Sequence, residues 1–419
     1  MIPQPNPAAP GRADDEASPM MWSLSPEDQA FRDEVRHFLD AELTDELRTA
    51  GRRSSGIYAD YDPGIAWHRI LARRGWSVPH WPVEHGGTGW TPMQHYIFAA
   101  ELASADAPPL APNAVKMVAP VLIAFGTDEQ KQRWLPGIRD GIDYWAQGYS
   151  EPGSGSDLAS LQTRAVRDGD RYVINGTKIW TTHAHWSNRM FCLVRTDPAA
   201  KPQRGISFLC FDLDTPGITI RPIISISGDH ELNQVFFDDV RVPLSSLVGQ
   251  ENDGWTVAKY LLQHERGGAW APRLRARLRR LRRAADAAFA GLPGDSPERG
   301  DMNLKLADAE CRIDAMQAME MEALAAQARG EPPGGIGPSM NKILGTEMKQ
   351  RITELGIEIS GRRAIARVPM PDCADHELAL DEEPMFSMSA YLNDRAASIY
   401  AGSNEVQRNI IAQQLLAGR

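Results

Sequence analysis

Cysteine is scarce, four among 419 residues, and Cys192, Cys210, Cys311 and Cys373 form no C-x-x-C pair. Neither a disulfide framework nor a zinc knuckle is indicated, and reduced thiols in a cytoplasmic protein are expected. Missing too is any apolar run near the roughly 20 residues that a bilayer span needs. The segment Met1–Met20 has neither the basic start nor the apolar stretch of a secretion signal, and 1–21 reads as a flexible tail. An excess of positive charge is likewise absent: 45 Lys and Arg against 55 Asp and Glu leave a net charge of −10. A generally cationic nucleic-acid binder is disfavoured. What is present is ordinary for a globular chain, with 42% hydrophobic and 24% charged residues. At roughly 150 residues per domain, the length predicts two or three domains.

Patterning divides the chain in the order α, β, α. Ser25 offers a cap, Pro26 suits a first turn, and Phe31, Val35, Phe38 and Leu39 recur near 3.6 residues, so a helix is predicted there. Further helices are predicted over 65–75, 94–104 and 128–137, giving an N-terminal helical domain over 22–143. Seven short strands are predicted at 162–166, 172–174, 177–182, 191–195, 206–211, 218–223 and 234–242. Asp168-Gly169, Asn175-Gly176 and Pro216-Gly217 are read as turns between them. That spacing makes a small barrel or sandwich, placed in 144–250. Long helices return in 251–419, at 255–265, 272–290, 304–328, 340–359 and 404–416. The stretch 365–388, rich in Pro and acids, is expected to be a loop of unassigned role.

Chemistry concentrates in two places. Gln147-Gly148-Tyr149-Ser150 runs into Glu151-Pro152-Gly153-Ser154-Gly155-Ser156-Asp157, where small residues let backbone N–H groups approach a planar or anionic ligand and hydroxyls add hydrogen bonds. By itself this is equally a plain Gly/Ser loop. Further on, Lys178-Ile179-Trp180-Thr181-Thr182 sets an indole beside two hydroxyls, able to wall a flat heterocycle, although a strand Trp is more often core.

Ser150–Asp157, Asn175–Thr182 and Ile399-Tyr400-Ala401-Gly402-Ser403-Asn404-Glu405-Val406-Gln407-Arg408, in that order, resemble the acyl-CoA dehydrogenase family. The resemblance runs from about Trp22 to Leu416. It implies an N-terminal helical domain, a middle β-domain and a C-terminal four-helix bundle. It also implies FAD held by Gln147, Gly148, Tyr149, Ser150, Ser156, Trp180, Thr181 and Thr182, with Ser403 and Glu405 at the phosphates. Ser156, Gln263, His264, Arg266, Tyr400 and Gly402 are the implied substrate contacts. The activity implied is α,β-dehydrogenation of an acyl-CoA, with electrons passed to an electron-transfer flavoprotein. No metal is proposed.

One departure is chemically decisive. The usual family base is a Glu directly after the late Tyr, and Ala401 stands there, able to offer only its backbone N–H to an oxyanion. A second family pattern places the base just before an Arg on the first helix after the β-domain. Here that reads His264-Glu265-Arg266, and Glu265 continues the apolar line Ala258, Leu261, Leu262 at i, i+3, i+4 and i+7. A carboxylate in such surroundings has its pKa raised and becomes a better carbon base. Glu265 is therefore the expected base.

The family's Arg-Phe-Gly and Gln with Gly-Gly-x-Gly segments, which reach a neighbour's FAD, find poor matches at 297–302 and 354–362. A partner chain completing the FAD sites, in a homo- or heterotetramer, follows as an expectation. The overall look is nearest to bacterial subunits acting on bulky or carboxylated thioesters such as steroid side chains. Seven arginines between Arg273 and Arg283 crowd one helix, read first as a solvated face and next as an attractor of phosphates. A non-catalytic partner subunit, a flavin oxidase and a DNA-binding relative on the same fold are the competing readings. His183, His185 and His230 are read as structural or surface residues rather than ligands.

Overall fold

The computed structural model describes residues 24–53, 58–265, 269–331, 335–365 and 382–417. The tail, Cys373, Arg266 and most of the expected loop 365–388 lie outside them, as do the side chains of His264 and Glu265.

Local chemistry explains the first helices. Ser25 accepts a hydrogen bond from the Asp28 N–H (3.1 Å) and Pro26 opens α1 (Pro26–Glu42), which buries Phe31, Val35 and Leu39. After α2 (Asp45–Arg53) and α3 (Tyr61–Arg74) comes α4 (Pro92–Ser104), where Thr91 and Gln94 form a reciprocal capping box. Thr127 and Gln130 do the same for α6 (Asp128–Arg139). The sequence pattern missed α2 and also the helical stretch before α6. In that stretch a π-helical turn, Asn113–Val118, leads into α5 (Ala119–Phe125). Pro112 and Pro120 disguise it, but Pro120 sits in the first turn of α5, where its missing N–H is harmless.

The strands form one continuous eight-stranded sheet: β1 (Trp145–Gly148), β2 (Arg164–Asp168), β3 (Arg171–Lys178), β4 (Arg189–Arg195), β5 (Ile206–Asp212), β6 (Ile218–Ile223), β7 (Leu232–Pro243) and β8 (Leu247–Val248). Their order is β6-β7-β3-β2-β4-β5-β8, with β1 parallel to β4. Residues Phe191, Leu193, Phe208 and Cys210 face the N-terminal helices and α7 (Gly254–Glu265). Their alternates Met190, Cys192, Val194 and Leu209 meet Tyr172, Ile174, Val235 and Phe237 as the sheet curls over itself. β4 is thus buried on both faces, which is why it is continuously apolar.

Two readings need correction. Asn175-Gly176 is no hairpin turn; β3 runs straight through it, with the register against β7 slipping between Ile174 and Gly176. A Cβ at Gly176, φ +149, would stand 2.7 Å from Thr163 Cα, so a bulge that only glycine fits mimics the turn signal. The strand predicted over 177–182 stops at Lys178, and Trp180 turns left-handed (φ +58).

In the C-terminal part, α8 (Ala271–Ala288), α9 (Pro297–Ala328), α10 (Gly337–Ser360) and α11 (Glu382–Asp394) pack as a four-helix bundle, with α12 (Asn404–Ala417) against α10. α11 begins inside the expected loop, because an acidic start hid the helix behind Pro384.

Candidate active site

β1 carries the candidate flavin contacts out of the sheet, and a buried ion pair fixes where they go. Lys178 Nζ donates to Glu151 Oε1 (2.8 Å) and to the Tyr149 carbonyl (3.0 Å), with Lys178 fully enclosed. The Glu151 carboxylate also accepts from the Gln162 and Thr163 N–H groups at 2.6 and 2.9 Å. Burial alone would push Glu151 up, but the Lys178 charge and these hydrogen bonds outweigh it and hold the carboxyl below its usual range. The Ile179 N–H donates to the Ser150 carbonyl (2.9 Å). Residues 147–150 and 180–182 are thereby brought together.

The second strap is Asn233, wholly buried. Its Nδ2 donates to the Thr181 carbonyl (3.0 Å), and the Thr181 N–H returns a bond to the Asn233 carbonyl (2.9 Å). Sequence reasoning missed Lys178–Glu151 and Asn233 as a scaffold. The only signal was that Glu151 and Lys178 sit inside the two motifs.

What this scaffold presents fits a flat polar heterocycle. Trp180 is left-handed and 56% exposed, a costly arrangement for a large aromatic unless something covers it. Beside it the Thr181 hydroxyl is buried without a hydrogen-bond partner among the described residues. A Cβ on Gly153 or Gly155 would meet nothing, so the fold itself does not demand glycine there. Ser156 is exposed at the loop edge, while Ser154 closes the loop onto the Asp157 carbonyl (2.7 Å). Two expected contacts have packing reasons of their own. A Cβ at Gly148 would stand 2.9 Å from Cys192 Sγ, and the Tyr149 ring is buried edge-on to Phe191 at 5.9 Å. Gln147 and Thr182 are half-buried.

These features point to a flavoprotein of one lineage, and domain-level similarity agrees along nearly the whole chain. The acyl-CoA dehydrogenase N-terminal, middle and C-terminal domains match residues 25–142, 146–240 and 252–416. The chain belongs to the acyl-CoA dehydrogenase family. It is 37% identical to acyl-CoA dehydrogenase IpdE1 of Mycobacterium tuberculosis over 93% of this chain and 97% of that protein. With acyl-CoA dehydrogenase FadE26 of the same organism it shares 34% identity over 95% and 98% of the two chains. Among solved structures, the Tcur3481-Tcur3483 steroid ACAD superposes with a TM-score of 0.80 at 30% identity, over 95% and 98% of the two chains. The ChsE4-ChsE5 complex of Mycobacterium tuberculosis does so at 0.77 and 31%, over 94% and 98%.

This acyl-CoA dehydrogenase is FAD-dependent, as its family is; the Trp180–Thr182 platform and the 147–156 loop are the candidates to hold the cofactor. The C-terminal part reaches this site through α11: Ser389 donates to the Ser227 carbonyl (3.4 Å) and Asn393 Nδ2 to Glu231 (3.2 Å). The late motif follows in left-handed backbone, Ala401 at φ +55 and Gly402 at +80. Among the described residues the Ala401 N–H makes no hydrogen bond, so it is available to an external acceptor. Tyr400 is half-buried; burial raises its phenol, against the pull of the Lys349 charge. Ser403 Oγ accepts from the Val406 N–H (3.3 Å), and exposed Glu405 is in the first turn of α12.

On α7, Ala258 and Leu261 are buried against Trp145, Phe191 and Phe208 in one core, with Leu262 packed beside them. Gln263 is exposed. The apolar line thus faces inward up to the turn that ends in Glu265. The three histidines pack together. Burial, then the nearby His185 and His230 charges, drive His183 down to about 3, and Tyr144 Oη lies 2.8 Å from its Nδ1. His185 and His230 stack at 3.9 Å. The basic helix is mostly not a solvated face. On α8, Arg275 bonds Asp314 and Gln317, Arg277 bonds Asp394, Arg280 bonds Asp106 and Arg282 bonds Glu310.

Proposed function

We propose that this chain oxidises an acyl-CoA to the trans-2-enoyl-CoA with Glu265 as the base. The observation that carries the reading is the inward stripe of α7, which buries Ala258 and Leu261 against β1 and β5 and runs directly to position 265, while position 401 keeps only an amide. Glu265 takes the Cα proton. The Ala401 N–H donates to the thioester oxygen, which gains negative charge as that proton leaves. FAD, when bound, accepts the hydride departing from Cβ. Trp180 would cover the ring, and Thr181 and Thr182 would supply hydroxyls to its edge. Gln263, His264, Arg266, Tyr400, Gly402 and Ser156 are proposed, on the family resemblance, as contacts of the thioester arm.

Electrons then pass to an electron-transfer flavoprotein. A bulky, steroid-like acyl group is supported by the steroid ACAD, and a heteromeric assembly by the ChsE4-ChsE5 complex. The test is Glu265→Gln. It is expected to fold and to hold FAD as the native chain does, yet to lose at least about a thousandfold in kcat, the range of general base catalysis. Turnover within tenfold of native would refute the assignment.

A further inference from the structure

The segment that carries the flavin platform is strained. Trp180 and His183 both hold left-handed backbone, φ +58 and +57, and His183 is buried. Such conformations persist where surrounding contacts over-determine them. Here the support comes from the start of β7 and the residue before it: the Thr181 N–H donates to the Asn233 carbonyl and the His183 N–H to the Glu231 carbonyl, each at 2.9 Å.

Side chains complete the support, and their hydrogen bonds have a single consistent polarity. Wholly buried Asn233 places Nδ2 3.0 Å from the Thr181 carbonyl oxygen and 2.9 Å from His185 Nδ1, and Oδ1 2.8 Å from His230 Nε2. A carbonyl oxygen only accepts, so the amide group beside Thr181 is the NH2. Its second hydrogen points at His185, whose Nδ1 therefore accepts and carries no proton. The amide oxygen meets His230, whose Nε2 therefore donates. The two imidazoles stack at 3.9 Å, 19° from parallel, and the Trp186 ring lies 4.3 Å from that of His185, which holds both ring planes. His183, edge-on at 6.3 Å, is the other titratable ring against His185. A proton on His185 Nδ1 would set donor against donor, and rotating the amide to relieve it would bring oxygen against the Thr181 oxygen. Burial, then the His230 charge, pulls the His185 imidazole down to about 4, so it is neutral at working pH.

We infer that His185 and His230 are positioning residues for the flavin: the pair locks the Asn233 amide in the one orientation that straps the Thr181 carbonyl, and so fixes the platform on which the cofactor sits. This rests on the reading of Trp180–Thr182 as the flavin platform. The Thr181 hydroxyl, buried without a hydrogen-bond partner among the described residues, is the group left for the cofactor.

FAD titration of the deflavinated full chain, followed by flavin fluorescence, tests this with variants chosen for hydrogen-bond polarity. His185→Gln offers an oxygen that accepts the Asn233 bond and is expected to bind FAD within about threefold of native, whereas His185→Lys, a donor only, should bind at least about tenfold more weakly. Asn233→Asp, nearly isosteric, puts an oxygen against the Thr181 oxygen and should weaken FAD at least as much as His185→Lys. Circular dichroism melting checks that each variant is folded. Equal affinities for the Gln and Lys variants, whether both near native or both weak, overturn the inference, because packing alone would then account for the pair. Nitrogen NMR of histidine-labelled native protein needs no variant: at neutral pH His185 Nδ1 is expected without a proton and His230 Nε2 with one, and the reverse at either ring overturns the inference. Thr181→Val separates it from the platform reading, since this variant loses no partner within the protein and should fold as native, yet bind FAD more weakly. If Thr181→Val binds FAD as native does, the platform reading falls and the positioning role with it; if it weakens FAD while His185→Lys does not, only the positioning role falls.

Discussion

Lys178 and Glu151 show what one buried pair decides. Lys178→Met leaves the Glu151 carboxylate enclosed with its N–H donors but without its cation, a change that costs roughly 3–5 kcal/mol. The expected readout is a lower urea midpoint together with lost flavin occupancy. Lys178→Met combined with Glu151→Gln should recover much of the stability, and a single variant as stable as native would dismiss the strap. His183 makes the matching case for protons. Its folded pKa, about 3, lies below the unfolded value near 6.5, so the unfolded chain binds a proton that the folded chain refuses. Stability is therefore complete above about pH 6.5 and falls by up to about 1.4 kcal/mol per unit as pH drops toward 3. Urea midpoints at pH 7.5, 5.5 and 4.5 should show a shallower slope for His183→Asn than for native protein.

At the scale of elements, the start of α8 hangs on one carboxylate of α9. Buried Glu320 accepts from the Trp270 and Ala271 N–H groups at 2.6 and 3.2 Å, and Tyr96 Oη donates to its other oxygen at 3.3 Å. Burial raises its pKa, while those donors pull it down. Glu320→Ala orphans two amides at the start of α8, at about 1–3 kcal/mol. Hydrogen exchange should quicken at Trp270 and Ala271 before the rest of α8; uniform exchange would place the loss elsewhere. Elements were legible from sequence where local chemistry specified them, as at the Ser25 cap. They were illegible where a long-range contact overrode a local signal, as at Gly176, or where prolines broke up a helical stretch, as around Pro112 and Pro120.

For the whole molecule, the salt links of α8 tie the parts into one body: Arg280 reaches Asp106 after α4, Arg277 reaches Asp394 on α11, and Arg275 and Arg282 reach α9. Those arginines are spent on contacts within the fold, which weakens the DNA-binding reading. If a partner chain completes the flavin sites, the chain expressed alone should hold FAD substoichiometrically and gain it on co-expression with that partner. Full flavin occupancy in a homotetramer, measured by absorbance and sedimentation, would end that expectation. Sequence by itself determined the α, β, α order, the family, FAD and the absence of a carboxylate at 401, because motifs, periodicity and the identity of one residue are local properties. Only the tertiary structure decided that Lys178 clamps Glu151 and that Asn233 straps Thr181. Charges 27 positions apart acquire an energy only when folding removes the water between them.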